Sequence, residues 1–325
     1  MSDSGDPALD ELLREVERLC SARDWEALLA LRNRARASHE RGRQHWPAAE
    51  YAEYRLALEA PGSFAGQVLV EGAGRFALGP LTEVAASTHT WNELAPHIDT
   101  GPLAAITAHE RVIRGEDLTG DDRVDPSVLT VPLALQDWES SYPLATYLTD
   151  KADFPPPDPP PLEIVDLPLA PFEHTTDVDE AQALRGLVAP WLSESNGLAD
   201  AVAVNGSALQ AIAALGVARG RVARVAPGVA FAWMAWAGAS GGARARRRGM
   251  AWGRYLAWEC ASIILQVDMD EVGTHVDELD WLVWDAFAHD AGWSLRLAIE
   301  DPANECAWAL SASDQAETGP STRSR

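Results

Sequence analysis

Five arginines, Arg244, Arg246, Arg247, Arg248 and Arg254, fall within eleven residues, directly behind Ser240, Gly241 and Gly242. Guanidinium groups grip phosphate or carboxylate in paired geometry, and the free N–H groups of a helix N-terminus favour negative charge. A helix over 243–266 would gather Arg244, Arg247, Arg248 and Arg254 into one sector with Tyr255 and Trp258. Trp252, Tyr255 and Trp258 are then available to stack on a ring. The expected site is therefore an anion site made of Ser240, Gly241, Gly242, Arg244, Arg247, Arg248 and Arg254. Its partner would be a small phosphate or carboxylate compound, or an acidic protein surface. Internal pairing is the competing reading, because Asp268, Asp270, Glu271, Asp277, Glu278 and Asp280 follow closely enough to neutralise the arginines within the fold.

No other constellation is complete. Gly72, Gly74 and Ala77 have dinucleotide-loop spacing, with Glu93 downstream, but Pro80 would break the phosphate-binding helix. His109, Glu110, Glu116 and Asp117 lack the second histidine of a zincin, and Ser193 and Ser195 lie outside any nucleophile elbow. The acidic run from Asp268 carries Val272 and Leu279 where a calcium loop needs oxygen ligands. Cys20, Cys260 and Cys306 are too scattered for a zinc site or a disulfide framework. No metal, cofactor or catalytic residue is assigned. The leading expectation is a non-catalytic protein with a helical N-terminal region for partner contacts and an arginine-lined anion site in the C-terminal domain. An enzyme acting on a phosphorylated or carboxylated metabolite, with His89, His109 or His275 as base, is the alternative, and a pure scaffold is the third reading.

The elements that must position these residues are legible in outline. Ala245, Gly249, Gly253, Ala257 and Ala261 recur every four residues, a row without bulk along which a second helix can approach. Two glycines inside a helix cost about 1 kcal/mol each relative to alanine, so close packing explains them. The preceding helix, with Ala232, Ala235 and Ala239, is the expected partner, folded back at Gly241-Gly242. The uncharged stretch Val225–Ala243 is long enough for a membrane span, but its alanines and glycines and the lack of a clean second span favour a buried core helix.

Upstream, Pro7, Asp24-Trp25 and Trp46-Pro47 open three amphipathic helices, and residues 1–150 are read as a helical domain. Its basic run, Arg32, Arg34, Arg36, Arg41 and Arg43 with His39 and His45, is read as a solvated helix face. The stretch 151–174 carries six prolines between Pro155 and Pro161 and is a semi-rigid linker, with a docking site for a proline-binding partner as the sharper alternative. Residues 175–315 form an α+β domain. It contains a strand before Asn205-Gly206, a helix capped by Ser207, three further helices over about 228–240, 243–266 and 275–288, and a hairpin around Asp301–Asn304. The tail 316–325 is polar and expected to be disordered. The fold class is thus α+β, with a mainly helical N-terminal region and a small antiparallel sheet covered by helices.

With a net charge of −23, the whole chain repels polyanions, which argues against non-specific nucleic-acid binding. The polar, acidic start lacks an export pattern and the sparse cysteines suit a reducing compartment, so a cytoplasmic, non-membrane protein is expected. Composition leaves the oligomeric state open. In the segments ASGGARARRRGMAWGR, RGRQHWPAAEYAEYRLALEAPG and GAGRFALGPLTEVAASTHTW the chain resembles an actinobacterial family of unknown function whose members carry a Ser-Gly-Gly-Ala…Arg-Arg-Arg-Gly segment. That resemblance implies a match over nearly the whole chain and brings no activity, ligand or catalytic residue.

Overall fold

The computed structural model describes residues 7–40, 45–169, 173–287 and 292–315. The expected tail, Arg41, Arg43 and the His39 side chain lie outside the described residues. The chain divides into two compact units. One comprises residues 1–129, 133–135 and 144–155; the other comprises 130–132, 136–143 and 156–325. The division falls inside the proline run, but the second unit also takes two short segments from upstream of it.

In the first unit the apolar stripes of α1 (Pro7–Ala22), α2 (Trp25–Glu40) and α3 (Trp46–Glu59) build the core expected from their spacing. Val16, Leu19, Leu28, Leu31 and Leu56 are buried in it with residues of α4 (Leu81–Thr88) and α5 (Pro102–Ile113). A hairpin of β1 (Thr146–Tyr147) and β2 (Ala152–Asp153) joins them, and the Tyr147 hydroxyl donates to the buried Glu83 carboxylate at 2.6 Å. Gly72 and Gly74 sit in a turn with φ of +76° and +62°, and Pro80 is the N-cap of α4. The Gly74 N–H donates to buried Glu53 at 2.8 Å, and Arg32 meets the same carboxylate at 2.7 Å. This loop is thus tied to an internal acid, not open to a phosphate.

The second unit is built on a seven-stranded antiparallel sheet, larger than the small sheet expected. Its strands are β3 (Glu163–Asp166), β4 (His174–Thr175), β5 (Leu198–Asn205), β6 (Arg219–Val225), β7 (Asp280–Asp285), β8 (Trp293–Asp301) and β9 (Cys306–Asp314). They lie in the order β3-β6-β7-β8-β9-β5-β4. The expected hairpin is present, with Leu297 opposite Leu310 and Ile299 opposite Trp308. Residues 275–288, expected as a helix, hold β7 instead. Trp281 and Val283 face one side and Leu282 and Trp284 the other, and such a doubly buried run has no period that distinguishes strand from helix.

Both faces of the sheet are covered. Val202, Val204, Leu282, Ala298, Ala307 and Ala309 share one core with α8 (Ala208–Ala214). Ser207 caps that helix in a capping box with Gln210, as its sequence predicts. The opposite face packs against α6 (Asp179–Gly186), α7 (Ala189–Ser193) and α9 (Pro227–Ala239), and α10 (Met250–Leu265) lies on α6 and α9. A Cβ at Gly253 would overlap the Ala235 carbonyl oxygen, and one at Gly238 would lie 3.3 Å from the Gly253 Cα, so the two backbones touch where the small-residue row predicts. The apolar α9 is buried against these partners, and among the described residues no helix is long and apolar enough to cross a membrane.

Candidate functional site

The arginines stand on a turn, not on the first turns of a helix. α10 begins at Met250 behind Gly249, whose φ is +98°, so residues 241–249 connect α9 to α10. The physical reason lies in the helix dipole: four guanidinium groups on an N-terminal turn would face its positive pole. The turn is tied down from within instead. Ala245 N–H donates to the Gly241 carbonyl at 3.0 Å and Arg248 N–H to the Ala239 carbonyl at 2.7 Å. The buried Ser240 hydroxyl accepts from Trp191 Nε1 at 2.9 Å and from the Gly242 N–H at 3.3 Å.

An amide next to the expected set already holds an anion, and that anion belongs to the chain. Ala243 N–H donates to Asp314 Oδ2 at 2.6 Å. Gly242 has φ of +66°, and a Cβ there would overlap the same oxygen, so glycine is required twice over. Asp314 Oδ1 is buried and has no hydrogen-bond partner among the described residues. A second anion here would meet an uncompensated carboxylate. Ser240, Gly241 and Gly242 are therefore positioning residues of the turn.

Arg254 is also removed from the expected set. It is fully buried in α10 and forms a bidentate pair with Glu139, Nε and Nη2 each 2.8 Å from a carboxylate oxygen. Its Nη1 donates to the Pro132 carbonyl at 2.8 Å. Trp258 Nε1 donates to the same carboxylate at 3.1 Å, Gln136 N–H at 2.9 Å, and the Tyr142 hydroxyl joins them. Burial works to raise the Glu139 carboxyl, but Arg254 and these donors hold it below its usual range. Burial pushes the Tyr142 phenol well above its usual value. Trp258 is thus a core residue under Arg254, the Tyr255 hydroxyl donates to Glu259 at 2.8 Å, and the Trp252 ring lies 5.3 Å from Tyr255. Nothing in "DWESSYP" around Glu139 has a motif's spacing, so the pairing was not legible in the sequence.

Arg244, Arg246 and Arg248 are exposed and Arg247 is half-buried. Arg248 pairs with Glu194 at 3.3 Å, and the other three also interact with groups of the chain. The acids expected to neutralise them are engaged elsewhere in part: Asp280 pairs with Arg224, and Glu278 with His275 at 2.9 Å. Of the candidate bases, His89 is wedged between the Ala60 and Ala85 carbonyls and His109 is buried.

Three hollows escaped the sequence reading because residues distant in the chain line them. In the second unit a cleft of about 700 Å³ lies beside β4, β5 and β9, lined by Glu173, His174, Glu180, Asp301, Cys306 and Trp308. Burial, with Asp301 and Glu180 adding to it, raises the Cys306 thiol, so it is no activated nucleophile. In the first unit two adjoining hollows of about 310 and 420 Å³ share Trp46, Glu50 and Phe76. Tyr51 and Tyr54 extend the first, and Arg75 flanks the second.

No curated protein and no solved structure matches the chain. One family does, over residues 10–316, and it takes in both compact units, the arginine turn and the Arg254–Glu139 pair. The chain belongs to this family, described as a family of unknown function (DUF6183).

Proposed function

We propose that this is a non-catalytic binding protein whose turn between α9 and α10 docks an acidic surface of a partner protein through Arg244, Arg246, Arg247 and Arg248. One observation carries the reading. The backbone of the turn spends its hydrogen bonds on Asp314, Ser240 and Ala239, and three of its four arginines are exposed residues clustered within five positions. A small anion needs converging buried donors, and at the turn the Ala243 N–H is already engaged by Asp314. An extended acidic surface needs only a dense local field, which supplies on-rate and orientation even in a chain with a net charge of −23.

A fluorescent polyglutamate peptide, titrated at low and at physiological salt, tests this. Wild type should bind with strong salt dependence, and replacing the four arginines with alanine should weaken binding at least about tenfold. Equal binding by wild type and variant overturns the proposal. Displacement of the peptide by micromolar inorganic phosphate would replace it with the small-anion reading.

A further inference from the structure

The aromatic hollows of the first unit have no part in the arginine turn, and their chemistry is different. Phe76 is 63% exposed, with its ring centroid 4.7 Å from that of Trp46. Its backbone N–H is fixed by the Glu50 carboxylate at 2.9 Å, so an exposed aromatic side chain is held in place by a side-chain bond. Leu78 is exposed beside it, and Tyr51 and Tyr54 complete a groove walled by aromatic rings. The Tyr51 hydroxyl donates to Glu17, and the Tyr54 hydroxyl to the Leu148 carbonyl, so both rings are locked. The Arg75 guanidinium lies 6.0 Å from the Phe76 ring centroid, at the flank of the groove. Rigid aromatic walls, with the Trp46 and Phe76 planes inclined at 47°, and a charged flank are what a polyproline helix docks on, because its ridges need no ordering on binding.

The chain carries such a ligand. In "FPPPDPPPL" from Phe154 to Leu162, burial recurs every third residue: Phe154 and Pro160 are half-buried and Pro157 is buried. Pro155, Pro156, Asp158, Pro159 and Pro161 are exposed. A polyproline helix has three residues per turn, so one flank is seated on the protein and two flanks are presented outward. The central residue of the presented flanks is an acid, complementary to Arg75. Phe76 is exposed in the single chain, and with Arg75 beside it the groove offers an apolar ring and a cation where the proline run offers apolar ridges and an acid. We infer that the Trp46–Phe76 groove receives the Pro155–Pro161 segment of a second copy of this chain, with Asp158 meeting Arg75 across a self-complementary interface.

Sedimentation velocity of the full chain over a concentration series tests this. Wild type should self-associate, and Phe76→Ser, Asp158→Arg and Arg75→Glu should each weaken association by about tenfold or more. Mixing the Asp158→Arg protein with the Arg75→Glu protein should restore it, because both interfaces of the unlike pair then match opposite charges. That recovery is not produced by variants that merely misfold. Alanine variants of the α9–α10 turn should associate like wild type, which separates this inference from the function proposed above. A wild type that stays monomeric at the highest concentration overturns the inference, as does association indifferent to all three substitutions. Binding of a labelled Phe154–Leu162 peptide to a monomeric chain overturns the second copy as occupant and assigns the groove to a proline-rich segment of another protein.

Discussion

At Glu139 a single carboxylate accepts from Arg254, Trp258, Gln136 and Tyr142. Removing one member of a buried pair strands the other charge, so Glu139→Gln should cost about 3–5 kcal/mol in urea unfolding. Arg254→Met combined with Glu139→Gln should cost less than the sum of the two single changes, the sign of direct coupling. Asp121 in the first unit gives a pH signature. Hydrogen bonds from Arg123, then from its backbone N–H and from Trp91, lower its pKa from 3.8 to about 2 against the opposing effect of burial. A lowered acid contributes stability above its unfolded pKa and loses it as pH falls through the folded one. Asp121→Asn should therefore flatten the fall in thermal midpoint between about pH 4 and pH 2. At this scale the sequence was legible where a residue acts on its neighbours, as Ser207 does, and illegible where the partner is distant. Arg254 had the same composition around it as its four neighbours, and only the fold separates it from them.

Among the elements, the small residues predict the crossing of α9 and α10, whereas the periodicity predicts a start for α10 seven residues before the observed Met250. Periodicity continued through the arginines, while the competing bonds to Asp314 and Ala239 come from elsewhere in the unit. The crossing leaves no room for growth: Gly253→Leu should lower stability by about 1–3 kcal/mol or more through overpacking, measured by chemical denaturation. Ser207→Ala should cost about 1 kcal/mol through the lost cap of α8, in the same assay. The strand β7 leaves no periodic mark, for the opposite reason. It is buried on both faces, so its sequence carries no alternation for a reader to find.

Across the whole molecule, the proline run marks the boundary between units, but the boundary is not a clean cut. Residues 130–132 and 136–143 precede the run and belong to the second unit. A fragment beginning at Pro156 would carry a buried Arg254 with no acid and should lack a cooperative thermal transition by circular dichroism. One beginning at Thr130 should regain it. A chain that unfolds equally well from either start would contradict this division.

The same interleaving governs synthesis. Glu139 and Arg254 are 115 residues apart, so at about 5–20 residues per second the ribosome delivers the carboxylate roughly 6–23 s before its cation exists. Trp138, whose ring ends up 4.7 Å from Phe231, waits as well. During that interval a nascent segment with an apolar ring and an unmatched charge is open to water, to chaperones and to proteases. A codon change that slows translation downstream of Trp138 would lengthen that exposure without altering any residue of the finished protein.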